Sequence, residues 1–242
     1  MRIVVREFKD LKVKIFADGA DLQGMISMNE KDYIQGLTTN PTLMKKVGIT
    51  DYKKFAQDVL HEITLKPVSF EVFSDDLEEM KKQALEISSW GNNVFVKIPI
   101  TTTSGKSTSN VIKFLVDLGV KVNVTAIMTI NQVAEVAKVL NPQIASYVSV
   151  FAGRIADTGI DPTDIMVKSL EILKPNKNAE LIWASPRELL NVFQANDIGC
   201  HIITATVDIL NKISLIGYDL NTFSLDTVKM FHKDALDSGF SL

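Results

Sequence analysis

The sequence predicts an α/β protein folded as a single (β/α)8 TIM barrel with an extra C-terminal helix, one domain over residues 1–242. Three observations predict it. Short apolar runs alternate with longer stretches of helical period, the pattern of βα units whose parallel strands are buried on both faces. The apolar runs number eight, the count that closes a barrel through right-handed crossovers. The first run is followed by Asp18-Gly19-Ala20-Asp21, where an open dinucleotide-binding sheet carries a GxGxxG turn. Eight strands also fit an open sheet, so the missing glycine turn and the strand tally together favour closure.

Strands are expected at 13–17, 34–38, 67–72, 94–98, 122–126, 146–151, 180–184 and 200–204. Helices are expected at 20–30, 51–64, 75–89, 107–118, 130–139, 162–173, 186–196 and 206–215, several opened by N-cap residues such as Ser74, Thr129 and Asp161. In the 75–89 segment Leu77, Met80, Ala84 and Ile87 recur at steps of three and four, with Glu78, Glu79, Lys82 and Glu86 on the other face, so one side packs on the sheet. Residues 1–12 form a charged extension before the first strand. Residues 217–242 form a helical tail in which Thr227, Met230 and Phe231 have no obvious home in the barrel, and it is expected to cover the barrel mouth or pack on a neighbour.

At 46% apolar and 23% charged, 242 residues can bury a full core. A net charge of -3 with no basic run or acidic tail favours neither nucleic acid nor a membrane surface as partner. The single cysteine, Cys200, cannot form an internal disulfide, and charges soon follow Met1-Arg2-Ile3; both point to the cytoplasm. Cys200 reads as a small buried strand residue. His61, His201 and His232 show no metal-ligand spacing, so no metal is expected.

In barrels of this type the active site lies at the C-terminal strand ends. There the fourth strand reads Val94-Phe95-Val96-Lys97-Ile98-Pro99. A lysine inside an apolar run either snorkels outward, pairs with a carboxylate, or serves as an amine nucleophile, because burial disfavours the ammonium form. Asp18 ends the first strand, Glu71 lies near the end of the third, and Asn123 and Thr125 alternate along the fifth, so all can meet inside the barrel. Singly, each also suits a strand-end hydrogen bond. Arg154, after the sixth strand, and Arg187 with Ser185, after the seventh, could clamp a phosphate or remain solvated surface charges.

These residues carry a resemblance. Gly36-Leu37-Thr38-Thr39-Asn40-Pro41-Thr42 resembles the GLTTNPS-type signature of transaldolases, and Val96-Lys97-Ile98-Pro99 resembles their lysine motif. The similarity continues, in the family's order, through Asn123-Val124-Thr125, Ser149-Val150-Phe151-Ala152-Gly153-Arg154 and Ala184-Ser185-Pro186-Arg187, from about Lys14 to Phe240.

The resemblance implies cofactor-free, metal-free transfer of a dihydroxyacetone unit from a ketose phosphate to an aldose phosphate, as in the pentose phosphate pathway. It implies a Schiff base on Lys97, with Asp18 taking the C4 hydroxyl proton and Glu71 and Thr125 holding a catalytic water. It further implies that Asn40 and Asn123 contact substrate hydroxyls, that Ser149 contacts the dihydroxyacetone end, and that Arg154, Arg187 and Ser185 hold the phosphate.

The family also contains fructose-6-phosphate aldolases, which have Gln where this chain has Glu71 and Tyr where it has Phe151, so both positions resemble the transaldolases. The hydroxyl-rich Thr101-Thr102-Thr103-Ser104-Gly105-Lys106 loop and Val150, in place of a common Pro, depart from the family's pattern and bear on which sugar is used. The alternatives are an aldolase releasing free dihydroxyacetone and an inactive sugar-phosphate-binding protein. Resemblance to the small transaldolases also implies a homo-oligomer, often a ten-subunit ring built through the C-terminal helix.

Overall fold

The computed structural model describes residues 8–239. Eight parallel strands close into a barrel in chain order: β1 Lys14–Asp18, β2 Ile34–Thr38, β3 Val68–Glu71, β4 Val94–Pro99, β5 Val122–Ile127, β6 Ser146–Val150, β7 Ala179–Trp183 and β8 Ile202–Thr206, with β8 paired back onto β1. The described helices are α1 Leu22–Asn29, α2 Pro41–Lys46, α3 Tyr52–Glu62, α4 Leu77–Ser88, α5 Ser109–Asp117, α6 Ile130–Val139, α7 Ala152–Ala156, α8 Thr163–Leu173, α9 Leu190–Asp197, α10 Val207–Leu210 and α11 Leu220–Asp237.

Strand alternation builds the barrel interior. Phe16, Phe95, Tyr147, Ile182 and Ile202 belong to one inner apolar cluster, in which Phe95 stacks on Tyr147 with ring centroids 4.0 Å apart. Two positions further along their strands stand Asp18, Lys97, Ser149 and Thr204, while Ala184, just past β7, still belongs to the apolar cluster. A period of two puts residues i and i+2 on one face, so a polar layer lies directly above an aromatic and aliphatic floor. Gly36 makes room for that floor: a Cβ there would lie 2.5 Å from the Phe16 ring. The opposite strand faces and the inner helix faces form the larger core, including Val96, Val124 and Val148. In α4, Met80, Ala84 and Ile87 are buried, as their spacing predicts, and Leu77 is half-buried against the core; full burial of a methionine or isoleucine side chain contributes about 1.5–3 kcal/mol.

Several boundaries differ from the sequence expectation. β8 begins at Ile202, so Cys200 precedes the strand; it is buried, its thiol lies 3.4 Å from the Leu181 carbonyl, and burial pushes its pKa up to about 12. Asp76, not Ser74, caps α4, because its carboxylate reaches both the Glu78 and Glu79 amides. Pro162 occupies the cap position of α8, while Asp161 takes the Thr163 amide. Thr129 forms a full capping box with Gln132. The helix expected at 206–215 splits into α10 and a 3-10 turn, Asn211–Leu215.

Of the charged extension, residues 8–12 include a 3-10 turn at Phe8–Asp10, with Phe8 edge-on to Tyr33; residues 1–7 lie outside the described residues, as do 240–242 of the tail. The tail does contain a helix, α11, but none of its residues is buried, and Met230 and Phe231 are 50% and 62% exposed. A cover over the barrel mouth would bury its apolar side chains, so that alternative for the tail does not hold in this chain.

Candidate active site

A cavity of about 520 Å3 opens at the C-terminal ends of the strands. Asp18, Asn40, Glu71, Lys97, Asn123, Thr125, Ser149, Phe151, Arg154, Ser185 and Arg187, the residues singled out from the sequence, all line it.

Lys97 lines it from β4. Strand register sets Glu71 level with Lys97, Lys97 level with Asn123, and Pro99 level with Thr125, so neighbouring inward side chains meet. The Lys97 Nζ lies 3.0 Å from Glu71 Oε2 and donates to the Thr39 carbonyl at 2.8 Å, with the side chain only 8% exposed. Of the alternatives for this lysine, the outward snorkel is excluded and the carboxylate partner is present. Glu71 is itself anchored from behind, because the Tyr52 hydroxyl on α3 donates to its backbone carbonyl at 2.9 Å.

Asp18 has both carboxylate oxygens engaged. The Thr38 hydroxyl donates to Oδ1 at 2.8 Å, and the Asn40 amide lies 3.3 Å from Oδ2. Since Thr38 gives its proton to Asp18, the Thr204 hydroxyl 2.6 Å away is the donor to Thr38. Burial pushes the Asp18 carboxyl above its ordinary value; the Lys97 charge and the Thr38 hydroxyl oppose that, and the Glu71 charge adds to it. Asn40 also caps α2, its side chain accepting from the Leu43 amide while Pro41 occupies the first turn. The turn motif therefore shapes the backbone and supplies a polar group at once.

On the far side, Asn123 is fully buried, donates to Ser69 Oγ at 3.0 Å and accepts from Ser149 Oγ at 2.7 Å. These bonds tie β3, β5 and β6 together at the level of the lysine. Thr125 Oγ1 is buried without a hydrogen-bond partner among the described residues. Ala126, next to it, has φ 60° at a register shift between β5 and β6. A non-glycine residue in this region costs about 1–3 kcal/mol, and such bulges re-aim side chains at functional sites. Phe151 follows β6 and packs against the inner aromatic cluster.

Arg154 is exposed on α7 and makes no hydrogen bond or ion pair with another described residue. Arg187 instead forks onto Asp157, with Nε donating to Oδ1 at 2.9 Å and Nη2 donating to Oδ2. The sequence reading named Thr38 within its signature but gave it no role, and it missed Asp157 and Thr204. Thr38 and Thr204 follow strand alternation and were accessible to it, whereas Asp157 lies in an exposed stretch without a pattern. Among the described residues no group of three or more His, Cys, Asp or Glu side chains could hold a metal ion, and no helix is long and apolar enough to cross a membrane.

Fold and site together define a barrel protein with a buried lysine paired to a glutamate at the strand ends, in one cavity with Asp18. The profile of the transaldolase/fructose-6-phosphate aldolase family matches residues 15–241, and the chain belongs to that family. A probable transaldolase of Sulfurihydrogenibium sp. is 33% identical, covering 84% of this chain and 89% of that one. A probable transaldolase of Streptococcus equi subsp. zooepidemicus is 34% identical, covering 88% and 97%. A Burkholderia cenocepacia crystal structure whose name proposes a lyase or mutase superposes with a TM-score of 0.57 over 95% of this chain and 85% of that one. At 12% identity that likeness concerns the fold alone.

Proposed function

We propose that the protein is a transaldolase: it moves a dihydroxyacetone unit from a ketose phosphate such as fructose 6-phosphate or sedoheptulose 7-phosphate to an aldose phosphate, through an imine on Lys97, without cofactor or metal. The observation that carries the reading is the buried Lys97 amine, 3.0 Å from Glu71 and in one cavity with Asp18.

The chemistry follows from these groups. The amine gives a proton to Glu71, attacks the ketose C2 carbonyl and, after loss of water, becomes an iminium. Asp18 removes the C4 hydroxyl proton, the C3–C4 bond breaks, and its electron pair flows into the iminium to give an enamine while the aldose phosphate departs. A second aldose phosphate accepts the enamine carbon, Asp18 returns the proton to the new hydroxyl, and water returned through Glu71 and Thr125 releases the product ketose. Asn40, Asn123 and Ser149 hydrogen-bond the sugar hydroxyls, Phe151 walls the water-bearing side, and Arg154, Arg187 and Ser185 hold the phosphate. The setting is pentose phosphate metabolism in the cytoplasm.

Glu71 and Phe151 favour transfer over release of free dihydroxyacetone, which is the aldolase alternative. Cleavage of fructose 6-phosphate with and without erythrose 4-phosphate separates the two: turnover that depends on the acceptor supports transfer, and equal rates with free dihydroxyacetone as product would establish the aldolase. A protein that binds the sugar phosphate without turnover in either assay would establish the inactive binder.

A further inference from the structure

Asp157 takes up two of the N–H groups of Arg187, on Nε and Nη2, in a fork-on-fork pair. Exposed ion pairs are usually weak, but a bidentate arginine-carboxylate pair adds orientation as well as energy. The backbones carrying the two partners are fixed against each other. The Gly153 amide donates to the Ala184 carbonyl, and a Cβ on Gly153 would lie 1.5 Å from the Ser185 carbonyl oxygen. Ser185 has φ 59°, and the Arg187 amide donates to Asn191 Oδ1 at 2.7 Å. Asp157 stands one turn beyond Gly153, its amide donating to the Gly153 carbonyl at 3.0 Å. The side-chain pair thus closes a junction already set by backbone contact, and it leaves Nη1 without a hydrogen-bond partner among the described residues, on a side chain that lines the cavity.

We propose that Asp157 is a positioning residue for substrate phosphate: by holding Nε and Nη2 of Arg187, it turns the remaining edge of the guanidinium toward the anion that Arg154 and Arg187 bind together. This rests on the reading of those two arginines as the phosphate clamp. Asp157 touches no reacting atom, so it acts on binding of phosphorylated sugars and not on the chemical step.

The test is steady-state kinetics of the full chain at saturating fructose 6-phosphate, with erythrose 4-phosphate or unphosphorylated erythrose as acceptor. Asp157→Ala raises the KM for erythrose 4-phosphate about tenfold, the scale of one oriented charged hydrogen bond, and leaves kcat and the KM for erythrose unchanged. Asp157→Asn, which keeps one acceptor oxygen for Nε, restores part of the loss. Adding Asp157→Ala to Arg187→Ala costs nothing further. An unchanged or lowered KM for erythrose 4-phosphate in Asp157→Ala, while Arg187→Ala raises it, overturns the positioning role alone; a lowered value would mean that the carboxylate only competes with phosphate. An equal rise for erythrose shows a general structural role and overturns it as well. If Arg187→Ala itself leaves the KM for erythrose 4-phosphate unchanged, the phosphate clamp falls and the proposal with it.

Discussion

Lys97 is held by acceptors of two kinds, a carboxylate that can take its proton and a backbone carbonyl that cannot. Replacing it removes the nucleophile without opening the barrel wall, since the outward neighbours Val96 and Ile98 keep their core contacts. Lys97→Ala should therefore lower turnover by on the order of a thousandfold or more while circular dichroism stays that of the parent. Asp18 poses a different trade. Folding raises its pKa, burial being the main cause, so the neutral carboxyl suits the fold better than the ionised one. The stability linked to this group is full below its ordinary value of 3.8 and is lost as pH rises through the raised value. Asp18→Asn should accordingly raise Tm at pH 8, with the difference from the parent closing as pH approaches 3.8. The same change should cut kcat by about 10^2 to 10^4, the usual worth of a general base. A lowered Tm at pH 8 would mean that the attraction of Lys97 outweighs burial.

At the scale of elements, two glycines set how closely neighbouring pieces approach. Gly36→Ala drives a methyl into the Phe16 ring, and overpacking of this kind should cost about 1–3 kcal/mol in urea unfolding. Gly153→Ala meets backbone, the Ser185 carbonyl; it should separate α7 from the β7 end, weaken binding of phosphorylated sugars and leave the barrel closed, as checked by KM and circular dichroism. Much of this layer was legible beforehand. Apolar runs placed the strands, and alternation put Asp18, Glu71, Lys97, Asn123 and Thr125 on one face. What was hidden had physical reasons. α2 and α7 span six and five residues, too short to show a helical period against their loops. The shift at Ala126 needs a positive φ that no glycine announces. The acceptor for Lys97 at Thr39 is a main-chain carbonyl, which every residue possesses. Asp157 matters through the partner it finds across the α7 junction with the loop after β7, and linear spacing carries no trace of that.

For the molecule as a whole, the conspicuous feature is α11, which leaves Leu220, Phe223, Leu225, Val228, Met230, Phe231 and Leu236 exposed. An apolar helix surface of this extent is a liability in a monomer and the usual raw material of a symmetric interface. A homo-oligomer is expected by light scattering, and paired Met230→Glu and Phe231→Glu changes should lower its order without touching the catalytic cavity. A parent protein that is monomeric at assay concentration would contradict this.

The most direct test of the Lys97 imine is borohydride reduction of the protein in the presence of fructose 6-phosphate, followed by peptide mass mapping. A dihydroxyacetone- or hexose-derived mass on the peptide carrying Lys97 is the expected result. An adduct on another lysine, or none at all, would contradict it.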